Sequence, residues 1–182
     1  MSGFVVWFTG LSAAGKTTIG QIVARELEQR ALTVDVLDGD VVRTHLSQGL
    51  GFSKEDRDTN IDRIAWVASR LTRHGAAVIV SAISPYEEAR RKARKMIERF
   101  GPFVEVFVDV SVEEAARRDV KGLYEKAFRG EIDNFTGVSD PYEPPSDPEI
   151  RIDSEQEDKG ESARRIVEHL EERGLLRAEV AA

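Results

Sequence analysis

The feature that most constrains the fold is a glycine-bounded stretch near the N-terminus, Gly10–Thr17, with the sequence GLSAAGKT. It matches the pattern GxxxxGK[ST] in full, between an apolar run at Phe4–Thr9 and a helical pattern that continues to Arg30. A loop of this kind directs backbone N–H groups and a helix N-terminus at phosphate oxygens. A simple turn between a strand and a helix is the alternative. Since the flanking pattern is the one that the mechanism requires, the sequence predicts binding of a nucleoside triphosphate.

The same loop assigns roles to individual side chains. Lys16 is expected to reach the β- and γ-phosphates, and the Thr17 hydroxyl is expected to bind Mg²⁺. The pattern GxGxxG is absent, which argues against a dinucleotide site. The predicted ATP-binding residues are the loop, the threonine after it and one arginine that leads into a predicted lid: Gly10, Leu11, Ser12, Ala13, Ala14, Gly15, Lys16, Thr17, Thr18 and Arg118.

Apolar runs alternate with helical patterns along the chain. Strands are predicted at Phe4–Thr9, Thr33–Leu37, Ala77–Ser81, Phe103–Val108 and Ile150–Ile152. Helices are predicted after the glycine loop, from a capping box at Ser53 to near Gly75, from Pro85 to Phe100, after a capping box at Ser111, and at Glu161–Arg173. This alternation predicts a three-layer αβα fold of the P-loop NTPase type with a mainly parallel sheet.

One long segment interrupts the alternation. Residues 121–148 contain three glycines and four prolines but little periodicity. A loop of this length inside a compact domain is usually functional, so a lid over a site is predicted here. No linker divides the chain, and residues 1–182 are predicted to form a single kinase domain.

Composition excludes several classes of function. The chain has no cysteine, so disulfides, thiolate catalysis and zinc–thiolate sites are excluded. Its net charge of −7 argues against general nucleic-acid binding. No apolar run approaches the ~20 residues of a membrane span, and the N-terminus lacks the features of a secretory signal. A cytoplasmic protein is therefore expected, with no membrane and no nucleic-acid partner.

Two carboxylates follow the second predicted strand, in Asp38-Gly39-Asp40. Because they are two residues apart, one can face a metal ion while the other faces an acceptor hydroxyl, as a kinase requires. A polar turn is the alternative. Asp109, at the end of the apolar run VEVFVD, is a rival that looks like a Walker B aspartate. The sequence leaves open which of these carboxylates organises Mg²⁺.

Polar and aromatic residues further along are candidates for binding the phosphate acceptor. Arg43 and Arg57 can hold an anion, since the guanidinium matches phosphate or sulfate oxygens, and Asn60 shares a helical face with Arg57. Phe52 and Phe135 lie in loops, where an aromatic ring can stack on a purine. The alternative is that each ring anchors its own loop to the core.

Other prominent side chains are predicted to be structural. The basic run between Arg90 and Arg99 is interpreted as a solvated helix face, because apolar residues keep a helical stripe between the charges. Trp7 and Trp66 fall in a strand and on an apolar helix stripe, so both are predicted in the core. The three histidines show no metal-ligand spacing.

These motifs together resemble the adenylylsulfate kinase (APS kinase) family from Phe4 to about Leu170. The matching stretches are GLSAAGKTT, LDGDVVR, LGFSKEDRDTNIDRI, SAISPYEEAR, VEVFVDV, RRDVKGLYEKA and GEIDNFTGVSDPYEPP. The resemblance implies transfer of the ATP γ-phosphate to the 3′-hydroxyl of adenosine 5′-phosphosulfate (APS), which gives PAPS and ADP, with Mg²⁺ as cofactor. It also implies a homodimer and a place in sulfate activation, for which a separate ATP sulfurylase is a candidate functional partner.

The resemblance also implies residue roles. Asp40 would be the base at the 3′-hydroxyl, Lys16 a catalytic contact to the phosphates, and Thr17 with Asp38 the metal site. Ser84 occupies a position described as phosphorylated in the family, although direct in-line transfer needs no protein nucleophile. The residues implied to bind APS are Asp40, Arg43, Phe52, Arg57, Asn60, Ile83, Ser84, Lys121, Asn134 and Phe135, with the two phenylalanines on either side of the adenine.

The loop departs from the family pattern GLSGAGKST at two positions. Thr17 keeps the metal-binding hydroxyl. Ala13 adds a β-carbon where glycine is common, so the φ angle at this position is expected to be restricted. Two other functions remain as alternatives on sequence grounds. One is a P-loop kinase for another small molecule, and the other is an ATP-gated regulatory module without an acceptor.

Overall fold

Five strands form one parallel sheet in the order β2-β3-β1-β4-β5. The computed structural model describes residues 3–176, so residues 1–2 and 177–182 of the predicted domain lie outside the described residues. The strands are β1 (Phe4–Thr9), β2 (Val34–Asp38), β3 (Ala77–Ser81), β4 (Phe103–Asp109) and β5 (Ile150–Asp153). All five predicted strands are confirmed, with small shifts at their ends.

Helices cover both faces of this sheet. They are α1 (Lys16–Gln29), α2 (Gly39–His45), α3 (Lys54–Arg73), α4 (Glu87–Ile97), α5 (Val112–Arg118), α6 (Leu123–Phe128) and α7 (Lys159–Glu172). Helices α1 and α7 pack together on one face, and α3 and α4 pack on the other. The predicted three-layer α/β fold is confirmed. In residues 3–176, no helix is both long and apolar enough to span a bilayer.

Side chains at the helix starts explain where α3 and α5 begin. The Ser53 hydroxyl accepts a hydrogen bond from the Asp56 amide at 3.1 Å, and the Ser111 hydroxyl accepts from the Glu114 amide at 3.2 Å. These bonds satisfy amides that the helix itself leaves without a partner. The N-cap half of both predicted capping boxes is therefore confirmed. The reciprocal half is not, because the Ser111 amide donates to the Glu155 carboxylate at 2.8 Å and the Asp56 carboxylate accepts from the Gly51 amide at 3.0 Å.

Two helices differ from expectation. Helix α4 starts at Glu87 rather than Pro85, because Tyr86 is extended and the Pro85 carbonyl accepts from the Glu143 amide at 2.8 Å. It ends at Ile97 rather than Phe100, where the chain turns. Helix α2 was not predicted. Asp38 caps it by accepting from the Asp40 amide at 3.0 Å, so the alternative interpretation of Asp38-Gly39-Asp40 as a polar turn is wrong.

Two predictions about large side chains were wrong in part. Trp7 is fully buried as expected, but Trp66 is 58% exposed, because it lies off the α3 stripe that faces the sheet. In the basic run, Arg91 and Lys92 are exposed as predicted. Arg90 is only 2% exposed, so the interpretation as a solvated face fails for this residue.

Candidate active site

The glycine-bounded loop leaves β1 and enters α1 with a tightly curved backbone. Gly10 and Gly15 have φ of 143° and 106°, and a β-carbon on Gly10 would collide with the Val108 carbonyl oxygen. Gly15 is the N-cap of α1 and has no side-chain capping bond, which leaves the first amides of the helix to face a ligand. Ala13 has φ 61°, the left-handed geometry that glycine takes without strain. The backbone thus keeps the glycine-like shape despite the added methyl group.

Lys16 lies inside this loop rather than in solvent. Its side chain is largely buried, and Nζ donates to the carbonyls of Gly10 and Leu11 at 2.9 and 2.6 Å. Burial lowers the pKa of Lys16 to about 8, against the opposing effect of the Asp38 and Asp40 carboxylates. The ammonium is therefore held at the loop with little water around it, where an anionic ligand would interact with it strongly.

The two carboxylates of the predicted pair lie beside the loop at the carboxyl end of β2. The Thr17 hydroxyl donates to Asp38 Oδ2 at 2.7 Å, and Asp38 Oδ1 accepts the Asp40 amide at 3.0 Å. The rival carboxylate, Asp109 at the end of β4, accepts instead from Nε of Arg151 on β5 at 3.1 Å. Of the three candidates, Asp38 is the one in contact with the P-loop hydroxyl.

The predicted lid reaches this carboxylate pair. Lys121 Nζ donates to Asp40 Oδ2 at 2.8 Å, and that hydrogen bond raises the pKa of Lys121. Helix α6 lies inside the segment that was read as irregular, and Tyr124 on this helix donates its hydroxyl to the Ser12 carbonyl at 3.1 Å. The lid segment therefore contacts both the P-loop and Asp40.

Two predicted acceptor arginines fix the loops that carry the aromatic rings. Arg57 is buried, and it donates from Nε to the Phe52 carbonyl at 3.0 Å and from Nη2 to the Asn134 carbonyl at 2.5 Å. Arg43 donates to the Gly51 carbonyl at 3.0 Å, with its guanidinium carbon 4.4 Å from the centre of the Phe52 ring. Burial lowers the pKa of both arginines. Arg57 thus joins the Phe52 loop to a carbonyl that lies 77 residues beyond Arg57 in the sequence.

The rings themselves have different environments. Phe52 is 54% exposed, which leaves a face of its ring open for stacking. Phe135 is half-buried and packs edge-on against Tyr124, with ring centres 4.8 Å apart. Asn134, before it, has φ 54°. Asn60 is buried, and its Oδ1 atom has no hydrogen-bond partner within residues 3–176.

The loop after β3 is held by side chains of β1. The Thr9 hydroxyl donates to the Ile83 carbonyl at 2.7 Å, and Trp7 Nε1 donates to the Ser84 hydroxyl at 3.1 Å. Ser84 is 1% exposed and has φ 47°, a conformation that costs a non-glycine residue roughly 1–2 kcal/mol. The Ser84 side chain therefore serves as an internal hydrogen-bonding group of this loop.

Arg118, the predicted ATP-binding arginine, links α5 to the segment after β5. It donates to the hydroxyl and carbonyl of Ser154 at 3.1 and 2.8 Å, and to Glu114 at 2.6 Å. Lys159 at the start of α7 lies beside Gly15, with its Cε atom 3.7 Å from the place that a β-carbon on Gly15 would occupy. Of these two basic residues, Lys159 is the one that lies beside the P-loop, while Arg118 pairs with Glu114 and Ser154.

Sequence reasoning missed three residues that shape the site. Tyr124 contacts the P-loop, Thr9 holds the Ile83 carbonyl, and Arg90 donates to the Ser84 carbonyl at 2.7 Å. Arg90 carried a signal that could have been used. It lies three residues before Ala93 and seven before Ile97, on the buried stripe of α4.

The fold and this site define a P-loop kinase, with a phosphate loop, a carboxylate pair and a lid at the carboxyl ends of parallel strands. The family model described as adenylylsulphate kinase matches residues 2–153. The chain belongs to the adenylylsulphate kinase family.

Similar proteins agree with this assignment. An adenylyl-sulfate kinase from Picosynechococcus sp. is 52% identical over 96% of this chain and 97% of its own length. A probable bifunctional SAT/APS kinase from Sorangium cellulosum is 54% identical over 97% of this chain, which spans 30% of that relative. The structure of the Mycobacterium tuberculosis APS kinase in complex with AMPPNP and APS superposes with a TM-score of 0.90 at 42% identity, covering 93% of this chain and 98% of that one.

Proposed function

We propose that this chain is an adenylyl-sulfate kinase that transfers the γ-phosphate of ATP to the 3′-hydroxyl of APS. The observation that carries the proposal is a continuous set of contacts across the site. The Thr17 hydroxyl of the P-loop donates to Asp38, and Asp38 caps α2 by accepting from the Asp40 amide. The Asp40 side chain in turn accepts from Lys121 of the lid. A phosphate donor site and a carboxylate for the acceptor are thereby placed side by side, as direct phosphoryl transfer requires.

The oxygen ligands at the P-loop suit Mg²⁺. The Thr17 hydroxyl and an Asp38 oxygen are 2.7 Å apart, and hard oxygen donors are the ligands that Mg²⁺ prefers. Within residues 3–176 there is no cluster of three acidic or histidine side chains that could enclose a metal ion. This arrangement fits an ion that arrives with ATP and takes its other ligands from phosphates and water. When bound, Mg²⁺ would neutralise charge on the β- and γ-phosphate oxygens.

The protein groups have separable roles in the transfer. Lys16 and the amides at the start of α1 bind and orient the triphosphate. An Asp40 carboxylate oxygen accepts the proton of the attacking 3′-hydroxyl. Lys121 holds that carboxylate in place from the lid and can exchange its contact for the anionic acceptor. Ser84 does not act as a nucleophile, because its hydroxyl is buried and accepts a hydrogen bond from Trp7.

Recognition of the acceptor is assigned to the two aromatic loops. Phe52 and Phe135 stack on either side of the APS adenine, and Arg57 supports this by holding both loops through backbone carbonyls. Arg43 lies against the Phe52 ring, and Asn60 offers a buried oxygen that lacks an internal partner among the described residues. The backbone at Ile83-Ser84 completes the acceptor site. Arg118 borders the ATP side.

We further propose that residues 121–148 act as a lid in a single kinase domain formed by residues 1–182. The contacts of Lys121 and Tyr124 with Asp40 and the P-loop support the lid. The same proposal includes a homodimer and functional coupling to a separate ATP sulfurylase, which the family resemblance implies. It also includes a cytoplasmic location, which is expected from the composition.

A coupled assay of ADP release tests the function. ATP with APS is expected to give ADP in proportion to APS consumed, whereas APS replaced by shikimate, gluconate or AMP should give only background. Release with one of those acceptors and none with APS would instead identify another small-molecule kinase. Slow ADP release that ignores every acceptor would identify an ATP-gated regulatory module.

A further inference from the structure

The most deeply buried arginine of the described chain shapes the site but has no part in the proposed function. Arg90 is 2% exposed in the first turn of α4. Arginine is almost never buried to this extent unless its donors are satisfied. Its contacts therefore indicate what the residue is for.

Arg90 connects two segments of the acceptor site. Nη1 donates to the Ser84 carbonyl at 2.7 Å, and Nη2 donates to the Glu143 carbonyl, also at 2.7 Å. The first carbonyl belongs to the loop after β3, and the second to the C-terminal end of the lid. One planar guanidinium thus sets the separation between these segments, because its donors have a fixed geometry.

A buried carboxylate on the sheet forms an ion pair with the Arg90 guanidinium. Glu105 on β4 is 7% exposed, and its Oε1 atom lies 3.0 Å from Arg90 Nε as an ion pair, at an angle too oblique for a hydrogen bond. Glu105 also lies 3.5 Å from Arg94 Nη2. Arg90 is therefore anchored to the sheet on one side and to the acceptor segments on the other.

Further contacts run in parallel between the same two segments. The Glu143 amide donates to the Pro85 carbonyl at 2.8 Å, and the Glu87 amide donates to the Glu143 carboxylate at 2.7 Å. The Tyr86 hydroxyl donates to Asp140 Oδ2 at 2.7 Å. The end of the lid is consequently fixed to the loop after β3, while the rest of the lid carries Lys121, Asn134 and Phe135.

We infer that Arg90 is a positioning residue for the acceptor: by bridging Ser84 and Glu143 it sets the spacing between the Ile83-Ser84 loop and the lid. It does not touch the substrate. The inference rests on the proposed function for its substrate, APS, but its structural part does not. It predicts that loss of the bridge weakens APS binding and leaves ATP binding almost unchanged, since the hydrogen bonds and the ion pair of Arg90 go to Ser84, Glu143 and Glu105 and not to the P-loop.

The test compares three variants of the full chain. R90K keeps a positive charge near Glu105 but cannot bridge both carbonyls. R90M/E105Q removes both charges, so no unpaired carboxylate stays buried. R94M is the matched control. Arg94 lies on the same helix as Arg90 and pairs with Glu105 and Glu149, but its ion pairs reach neither Ser84 nor Glu143.

Steady-state kinetics give the first measurement. R90K and R90M/E105Q are expected to raise KM for APS roughly tenfold, as expected for loss of a hydrogen bond from a charged donor, with KM for ATP changed less than about twofold. R94M should lower Tm and leave KM for APS unchanged. If the two Arg90 variants fold and keep the wild-type KM for APS, Arg90 is merely structural and the inference is overturned.

A fluorescence measurement separates this outcome from failure of the proposed function. In a W66F background Trp7 is the single tryptophan, and it donates to the Ser84 hydroxyl. R90K is expected to increase acrylamide quenching of Trp7 about twofold without any APS present, because the loop after β3 is released. Unchanged quenching contradicts the bridge. Wild-type protein that releases no ADP with APS refutes the proposed function, and the quenching result still decides the placement of Arg90.

Discussion

Replacing Asp40 by asparagine should separate catalysis from stability. Asp40 is 80% exposed and its partner Lys121 is 62% exposed, and surface ion pairs of this kind contribute about 0.2–1 kcal/mol. For a domain of this size, that amounts to a fall in Tm of no more than about 4 °C. The backbone bond from the Asp40 amide to Asp38 does not depend on the side chain.

The expected loss of activity is much larger. If Asp40 accepts the proton of the attacking hydroxyl, D40N should lower kcat by roughly 10²–10⁴, which corresponds to about 3–5 kcal/mol in the transition state. The difference between the two magnitudes makes the test sharp. An unfolded enzyme cannot explain a thousandfold loss when Tm has moved by a few degrees.

The assay is ADP release at saturating ATP and APS, with Tm measured by calorimetry on the same samples. K121Q is the matched control, because it breaks the same ion pair from the other side and leaves the carboxylate in place. It should raise KM for APS more than it lowers kcat. A D40N enzyme with near-normal kcat, or losses of kcat that are equal in D40N and K121Q, would refute the role of Asp40 as base.

Four further outcomes are expected. F52A should raise KM for APS more than KM for ATP, since the exposed ring is available to stack on the acceptor. The control F128A removes a similarly exposed ring from α6 and should change neither KM. Equal effects of F52A on both KM values would argue against stacking. Because burial lowers the pKa of Lys16 to about 8, kcat/KM for ATP should fall as pH rises through that value, and a flat profile to pH 9.5 would contradict it. Over the same range the folded state binds fewer protons at Lys16 than the unfolded state does, so this group alone makes stability rise with pH between about 8 and 10.5. W66F should leave Tm within about 1 °C, while W7F, which loses buried contacts and the bond to Ser84, should lower stability by roughly 1–3 kcal/mol, as urea unfolding will show.

The sheet could be predicted from the sequence because its inner strands are buried on both faces. Strands β1 and β3 are nearly continuous apolar runs, β4 is apolar apart from Glu105 and its last residue, and the intervening helices have the 3.6-residue pattern. Helix α2 could not be found in this way. It has seven residues, too few to show periodicity, and it begins at a glycine that usually indicates a turn.

The phosphate-binding loop could also be predicted from the sequence, because its residues Gly10–Thr17 are consecutive in one motif. The acceptor half depends on contacts between distant segments. Nothing in the local sequence indicates that Arg57 holds the Asn134 carbonyl, or that Arg90 holds Glu143, since each contact depends on how the lid folds back over the sheet. Arg57 was predicted as an anion-binding residue and Arg90 as part of a solvated helix face, and the partners of both could only come from the structure.

The alanine in the phosphate loop makes the cradle dependent on its surroundings. A glycine would adopt φ 61° freely, but Ala13 adopts it only while neighbouring contacts impose it, among them the bond from Tyr124 on the lid helix to the Ser12 carbonyl. If the lid segment moves away from the P-loop, Ala13 loses this support, whereas a glycine at the same position would keep φ 61° without it. Opening of the lid and slackening of the ATP cradle should then occur together, so that departure of one product eases departure of the other.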